Sequence, residues 1–437
     1  MLRMAPTIST DPPRHPAVMI DAADGHIVAE AIMNVVFLAP SYPPEMRQYT
    51  RGLAEVGARV YGVGDGPLAG IPAETRRHLT GYLQVPRILD EHDVARRVAA
   101  WLRGKRVDRI ESNWEPLVLL AARLRETLGV PGMSYDTVLG FRDKQLMKER
   151  IKAAGLRVPH SFRCRTAGQV REATHTIGFP VCIKPIAGAG SADTYRVDDE
   201  ADLDRVVSLT QHISEVSVEE FVEGQEFTYD TVCIDGVPRF ENVAQYLPRP
   251  LVARTNEWIS PIICTVRELD QPALRDGIRL GRDVLRALGM GTGFTHMEWY
   301  RKADGEVVFG EIGCRPGGAH LVDQMNFTCD IDLFREWARS VCWKSFEADT
   351  TRKYNAAIVF KRAKGEGTIR EIQGLRSYMA RYGQGVVWEN LLPVGSRRRN
   401  WKQTLVSDGF LLVRHPTWGG AMTLANAAAE EITLYAS

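Results

Sequence analysis

A chain of 437 residues is too long for one hydrophobic core and predicts about three folded units of roughly 150 residues each. With 44% hydrophobic and 25% charged residues it has an ordinary globular balance, and a net charge of +1 leaves no footprint for nucleic acid or an anionic membrane. The 7 cysteines are scattered, with no CxxC pair and no His/Cys cluster, which argues against a zinc site and predicts reduced thiols in a cytoplasmic protein.

Residues 1–32 are rich in Pro, Ala and charge without periodicity, so a poorly ordered tail is expected there. Asp11, Arg14, Asp21, Asp24 and Glu30 interrupt any leader-like apolar run, and no run in the chain approaches the ~20 residues that span a bilayer. From Met33, NVVFLAP reads as a first buried strand. The helix opened by PPEM aligns Met46, Tyr49, Leu53 and Val56 on one face and stops at Gly57. Residues 59–63 read as a strand, Asp93 as the cap of a helix running to Arg103, 108–112 as a strand and 115–128 as a helix. This alternation predicts a parallel, Rossmann-like sheet over residues 33–141. Its GVGDGP turn lacks the dinucleotide spacing, so no NAD site is expected.

A second unit opens at Asp143, which caps a helix over 144–154 that Gly155 stops. Val181-Cys182-Ile183 reads as a buried strand that delivers Lys184 to a loop of small residues containing Gly188, Gly190 and Ser191. Backbone N–H groups of such a loop can close on phosphate oxygens, and the lysine beside it adds a point charge. A lysine placed before the glycines fits neither the P-loop nor the dinucleotide fingerprint, so alone the element reads equally as a plain Gly-rich hairpin. Residues 216–230 alternate apolar and polar on both sides of Gly224: strand, turn, strand. Further on come a helix over 275–288, strands over 293–300 and 306–312 joined through Asp304-Gly305, and a helix over 330–343. Beyond Lys353 lies a smaller α+β segment, with strands near 357–360 and 410–413 and a helix near 421–434.

A hairpin register over the two later strands would set Glu298 beside Glu311. Two such carboxylates repel unless a cation stands between them, and Mg²⁺ with nucleotide phosphates is the usual answer. Two exposed strand glutamates are the plain alternative. The run EIGCRPGG then puts Arg315 next to a second glycine-rich turn, suited to a phosphoryl group or a developing oxyanion.

Taken in this order, the motifs resemble those of the ATP-grasp enzymes, in particular carboxylate–amine ligases such as L-amino acid (dipeptide) ligases and carnosine-synthase-like proteins. The resemblance runs from Met33 over nearly the whole chain. It implies an α/β and α+β architecture: a Rossmann-like pre-ATP-grasp domain over 33–141, then an ATP-grasp domain over 142–350. The small lobe would cover 142–222 and the large lobe 223–350, with a C-terminal subdomain over 351–437 completing the large lobe. By this resemblance Lys144 and Lys184 bind ATP, and Gly188, Gly190 and Ser191 close over its phosphates. Glu219, Glu220 and Val222 form the hinge, where Glu220 and Val222 offer backbone groups to adenine, and Glu226 binds the ribose. Glu298 and Glu311 hold one or two Mg²⁺ ions, and Arg315, with Lys184, steadies an acyl-phosphate.

Gly313 stands where many members carry an Asn metal ligand. That departure implies a weakly held second metal, and a Mg²⁺ requirement that Gly313→Asn would lower. Arg254, His296, His320 and Asp323 are the substrate-side candidates, each equally readable as structural. The implied reaction joins a carboxylate, of an amino acid or related acid, to an amine through an acyl-phosphate and releases ADP and phosphate. The implied partners are those small molecules, with a homodimer left open. Two rivals stand beside it: biotin-carboxylase-like carboxylation through carboxyphosphate, and a retired nucleotide-binding regulatory protein. If Lys184 serves chemistry alone, Lys184→Ala is expected to leave the melting temperature nearly unchanged.

Overall fold

The computed structural model describes residues 32–186, 193–404 and 406–437. The tail expected up to Met33, except for Ile32, and the glycine-loop candidates Gly188, Gly190 and Ser191 lie outside the described residues. Among the described residues no helix is long and apolar enough to cross a membrane.

Strands β1 (Asn34–Leu38), β2 (Arg59–Gly64), β3 (Leu79–Gln84) and β4 (Arg109–Glu111) form a parallel sheet in the order β3-β2-β1-β4. Val35 to Leu38 of β1 are wholly buried, which is why this strand reads as an unbroken apolar run. Helix Met46–Glu55 turns its apolar face to helix Leu333–Trp343, with the Tyr49 ring edge-on to Phe334 and Trp337 at 4.9 and 5.2 Å. That aromatic cluster ties the first sheet to the rest of the molecule. The cap of helix Glu91–Trp101 is Asp90, which accepts from the Asp93 N–H; Asp93 sits in the first turn instead, where Arg96 and Arg97 pair with it. Strand β3 escaped notice because LTGYLQ is only half buried and carries Gly81.

Strands β5 (Ser161–Cys164), β6 (Val181–Pro185), β7 (Tyr195–Val197) and β8 (Val216–Glu220) make an antiparallel sheet ordered β5-β8-β6-β7. Helices Ala167–Ile177 and Glu200–Leu209 bury Val170, Ala173, Leu203 and Val206 on it.

The remaining strands are β9 (Gln225–Ile234), β10 (Val237–Leu247), β11 (Ile262–Thr265), β12 (Gly293–Arg301), β13 (Val307–Gly313), β14 (Asn355–Phe360), β15 (Lys364–Gly365), β16 (Ile369–Gln373), β17 (Val386–Leu391), β18 (Gly409–His415) and β19 (Thr433–Ala436). Eight of them form one antiparallel sheet, β13-β12-β9-β10-β11-β14-β18-β17, while β15, β19 and β16 form a small sheet of their own. Strands β8 and β9 are the two strands expected over 216–230 on either side of the turn. They belong to different sheets, and residues 221–224 are the passage between them. The helix expected over 330–343 begins later, at Leu333, because Asp330 takes a left-handed conformation that ends helix Leu321–Cys329. The closing helix, Trp418–Glu431, likewise stops short and hands Leu434 to β19.

Helix Pro272–Leu288 lies on the back of the eight-stranded sheet, and two glycines one turn apart set how closely. A Cβ on Gly277 would sit 2.3 Å from the Trp299 ring, and one on Gly281 2.3 Å from the Tyr229 ring. The two rings fill the space where those methyl groups would be. They pack the helix against β9 and β12 on the face opposite the one that carries Glu298 and Asp230.

Candidate active site

One pocket of about 600 Å³ opens where the parallel sheet, the β5-β8-β6-β7 sheet and the eight-stranded sheet meet. The parallel sheet contributes residues just past the ends of β1 and β4, among them Tyr42 and Glu115, as expected where parallel strands end.

The β12–β13 register sets Glu298 directly opposite Glu311, and both carboxylates reach the pocket about a third exposed. Helix Lys144–Ala153, capped by Asp143, carries two lysines one turn apart on the same face. Lys144 Nζ lies 2.7 Å from Glu311 Oε1, and Lys148 Nζ binds Glu219 Oε1. Lys184, at the end of β6, lies 3.0 Å from Glu219 Oε2 and 3.9 Å from Glu311 Oε2. The result is a chain of alternating charge: Lys148, Glu219, Lys184, Glu311, Lys144. Burial raises the Glu219 carboxyl, but Lys148 and Lys184 outweigh it and bring it down to about 2. Burial likewise opposes the Glu311 charge, and Lys144 with Lys184 holds that group below its ordinary value. Against its own burial, Lys184 is held well up by Glu219 and Glu311. For Lys148 burial prevails and lowers the ammonium in spite of Glu219. Sequence reasoning passed over Lys148, although its i,i+4 spacing from Lys144 was the available signal.

At the passage between the sheets, Arg249 donates from Nη1 to the Val222 carbonyl at 2.9 Å and from Nε to Glu226 Oε2 at 3.0 Å. Its guanidinium lies over the Phe221 and Tyr300 rings at 4.9 and 4.8 Å. Burial and the nearby Glu298 carboxylate push Glu226 up to about 7, against the pull of Arg249. Glu220 accepts from Arg157 at 2.6 Å and from the His160 N–H at 3.1 Å.

On the opposite side, Arg315 follows β13 and donates from Nε to Glu115 Oε2 and from Nη1 to the Pro316 carbonyl. Arg142 binds the other oxygen of Glu115 at 2.6 Å. Burial would raise Glu115, yet Arg315 and Arg142 keep it below its ordinary value. Neither Glu115 nor Arg142 stood out in the sequence. The environment of Gly313 bears on the expectation attached to it. Its backbone is not left-handed, and a Cβ there would meet Glu115 Oε2 at 3.3 Å. Any side chain there requires the Glu115 carboxylate to give by a few tenths of an ångström.

The four substrate-side candidates all line the pocket. His296 Nδ1 bonds the buried Asp230 carboxylate, with Nε2 3.9 Å from Glu298. His320 bonds Asp323 at 2.9 Å and packs against Phe410 and Trp388. Arg254 donates to the Lys402 carbonyl at 2.8 Å.

Glu298 and Glu311 suit magnesium by chemistry: two hard oxygen donors in register, with nucleotide oxygens and water able to complete six positions. Among the described residues no group of three His, Cys, Asp or Glu gathers as a self-sufficient metal cage.

Comparison with known proteins now adds to this geometry. Residues 143–231 match the family model of the carbamoyl-phosphate synthase L chain, ATP binding domain. An L-amino acid ligase from Bacillus licheniformis superposes with a TM-score of 0.76 at 18% identity, over 94% of this chain and 100% of its own. The chain carries the ATP-grasp fold. The same ATP-grasp architecture appears in the biotin carboxylase domain of Hydrogenobacter thermophilus 2-oxoglutarate carboxylase, solved with ADP and bicarbonate. Its TM-score is 0.65 at 16% identity, over 92% of this chain and 91% of that one. In sequence, the chain is 25% identical over 234 residues to the L-arginine-specific L-amino acid ligase of Bacillus subtilis. That match takes in 52% of this chain and 56% of the relative, so the chain spans about half the length of that protein.

Proposed function

We propose that the protein is an ATP-dependent ligase that joins the carboxylate of an amino acid or related acid to an amine through an acyl-phosphate, releasing ADP and phosphate. The observation that carries this reading is the juxtaposition, in one pocket, of the Glu298–Glu311 pair, Lys144 and Lys184 on one side of it, and Arg315 on the other. The likeness to L-amino acid ligases in sequence and fold supports it.

In this reading adenine lies against residues 220–222. Arg249 takes the Val222 carbonyl and so fixes the shape of that passage, while Glu226 meets the ribose. Glu298 and Glu311 would hold magnesium, whose charge draws the phosphate oxygens together and eases attack at the γ-phosphorus. Lys144 and Lys184, which both reach the Glu311 carboxylate, would stand beside the metal where they can meet phosphate oxygens. Arg315 has five N–H donors and spends one on Glu115 and one on the Pro316 carbonyl. Three remain for the transferring phosphoryl group and for the oxyanion formed when the amine attacks. His296, anchored through Nδ1 on Asp230, offers Nε2 to the incoming amine. The thiol lining the pocket does not supply a nucleophile: burial pushes Cys182 up to about 11. The reactive groups are therefore carried by the substrates, and the protein acts by positioning and charge.

A matrix of carboxylic acids and amines, assayed for ADP release with mass spectrometry of the products, tests this reading. An amide formed in step with ADP is expected. Turnover that depends on bicarbonate and yields no amide would contradict it and favour the carboxylase chemistry.

A further inference from the structure

The start of helix Met46–Glu55 borders the pocket through Glu45 and Tyr49, one turn apart on the same face. Tyr49 is 1% exposed, and its ring is held edge-on by Phe294 as well as by Phe334 and Trp337. Its hydroxyl nevertheless makes no hydrogen bond among the described residues. A buried hydroxyl left in this way is unfavourable, and the locked ring cannot swing it to another partner. Glu45, partly buried, likewise makes no ion pair and no side-chain hydrogen bond among the described residues. Asp323, in the first turn of helix Leu321–Cys329, is bonded through one oxygen only, by His320 Nδ1. Burial, and after it the charges of Asp323 and Glu45, push the Tyr49 hydroxyl well up, against the pull of Arg315. Both carboxylates therefore lie near that oxygen.

The arginines around them are committed elsewhere. Arg315 is bound to Glu115, Arg51 pairs with Glu55 and Asp332, and Arg47 donates to the Ser41 carbonyl. Two carboxylates and a hydroxyl oxygen are left with no lysine or arginine bound to them among the described residues. Just before Glu45, Tyr42 meets Trp114 edge-to-face at 5.3 Å, and both rings line the pocket. Carboxylates, a phenol oxygen and aromatic faces have one ligand in common, a positively charged group.

Arg315 shows which substrate carries that group. In the ligase reading the acyl-phosphate forms beside this guanidinium, whose charge reaches the Tyr49 hydroxyl. The group attached to the activated carboxylate is then the one that meets this wall. We propose that Glu45, Asp323 and the Tyr49 hydroxyl form a cation subsite for the acid substrate, which is an amino acid with a positively charged side chain. This proposal rests on the ligase reading above.

Trapping without an amine tests the acid side alone. Wild-type protein is given MgATP, hydroxylamine and one acid at a time, in pairs of similar shape: L-ornithine against L-norleucine, L-lysine against L-6-hydroxynorleucine, and L-arginine against L-citrulline. Every member carries the same α-ammonium, so a difference within a pair reports the side-chain charge. At least one basic amino acid should exceed its neutral counterpart by about tenfold or more in kcat/KM for hydroxamate, the scale of one charge-assisted hydrogen bond. That ratio should fall toward one in Glu45→Gln and part-way in Tyr49→Phe, which removes only the unpartnered hydroxyl and keeps the ring packing. Glu45→Lys should turn the preference toward L-glutamate over L-glutamine, a gain that a misfolded variant could not produce. Equal rates within every pair would overturn the subsite and leave the ligase reading standing, as would a wild-type ratio kept in both Glu45 variants. No hydroxamate from these or any other carboxylic acid would overturn the ligase reading, and the subsite with it.

Discussion

Glu115 and Arg315 are 200 positions apart in sequence, yet the carboxylate of one is bound to the guanidinium of the other, at the junction of the parallel sheet and the eight-stranded sheet. Arg142 completes the group at 2.6 Å. The carboxylate fixes which Arg315 donors remain for substrate, so Glu115 is a positioning residue. Glu115→Gln keeps the shape and loses the charge. Turnover should fall about 10²-fold, the scale of one misdirected donor at a developing oxyanion, with the KM for MgATP little changed. Steady-state ADP release measured against both substrates checks this. A matching loss in MgATP affinity would mean that the residue serves the nucleotide instead.

Gly313 sits against the same pair. A side chain there is not strained by the backbone, but its Cβ would already touch Glu115 Oε2 at 3.3 Å. Gly313→Asn should therefore displace Glu115 and lower turnover at every Mg²⁺ concentration, instead of relaxing the metal requirement. A Mg²⁺ titration at fixed MgATP distinguishes the two outcomes. A curve that shifts to lower Mg²⁺ at undiminished maximal rate would show that Asn fits and ligates.

Lys184 has a second duty that its place before a glycine loop did not reveal. It shares the buried Glu219 carboxylate with Lys148. Lys184→Ala should abolish turnover and also lower the melting temperature, since removing one partner from a buried ionic group leaves charge uncompensated. Differential scanning calorimetry without ligand measures this. An unchanged transition would show that the charge chain adds nothing to stability.

Glu219 also makes part of the stability depend on pH. Its carboxyl titrates near 2 in the folded protein, below its ordinary 4.5, so the folded state favours the ionised form. The stabilisation is complete above about pH 4.5 and is lost as the pH falls toward 2. At neutral pH Glu219→Gln should cost about 3–5 kcal/mol, because Lys148 and Lys184 lose their common partner. The gap in melting temperature between the two proteins should then narrow from about pH 5 to about pH 3. A gap that stays constant over that range would contradict the assignment.

The residues legible in the sequence share one property: their meaning is local. Lys184 stands at the end of an apolar strand, Glu298 and Glu311 occupy matching places in one hairpin, and Asp143 caps the helix it begins. Glu115, Arg142 and Arg249 come from separate loops and helix starts, with no periodicity or motif to mark them; only the topology brings Glu115 and Arg249 to one pocket and Arg142 against Glu115. Strands were lost for a similar reason. Alternation over 216–230 identifies two strands but says nothing about partners, and β8 and β9 join different sheets. The short β15 and β16 both pair with β19, pairings that no local pattern records.

The central claim is that ATP activates a carboxylate by phosphorylation, and trapping measures this most directly. Wild-type protein is mixed with MgATP, hydroxylamine and a panel of carboxylic acids, with no amine substrate present. For at least one acid, hydroxamate should form in proportion to ADP and phosphate, and Glu311→Gln should abolish all three. Release of AMP and pyrophosphate in place of ADP and phosphate would mean adenylation, and would contradict the account.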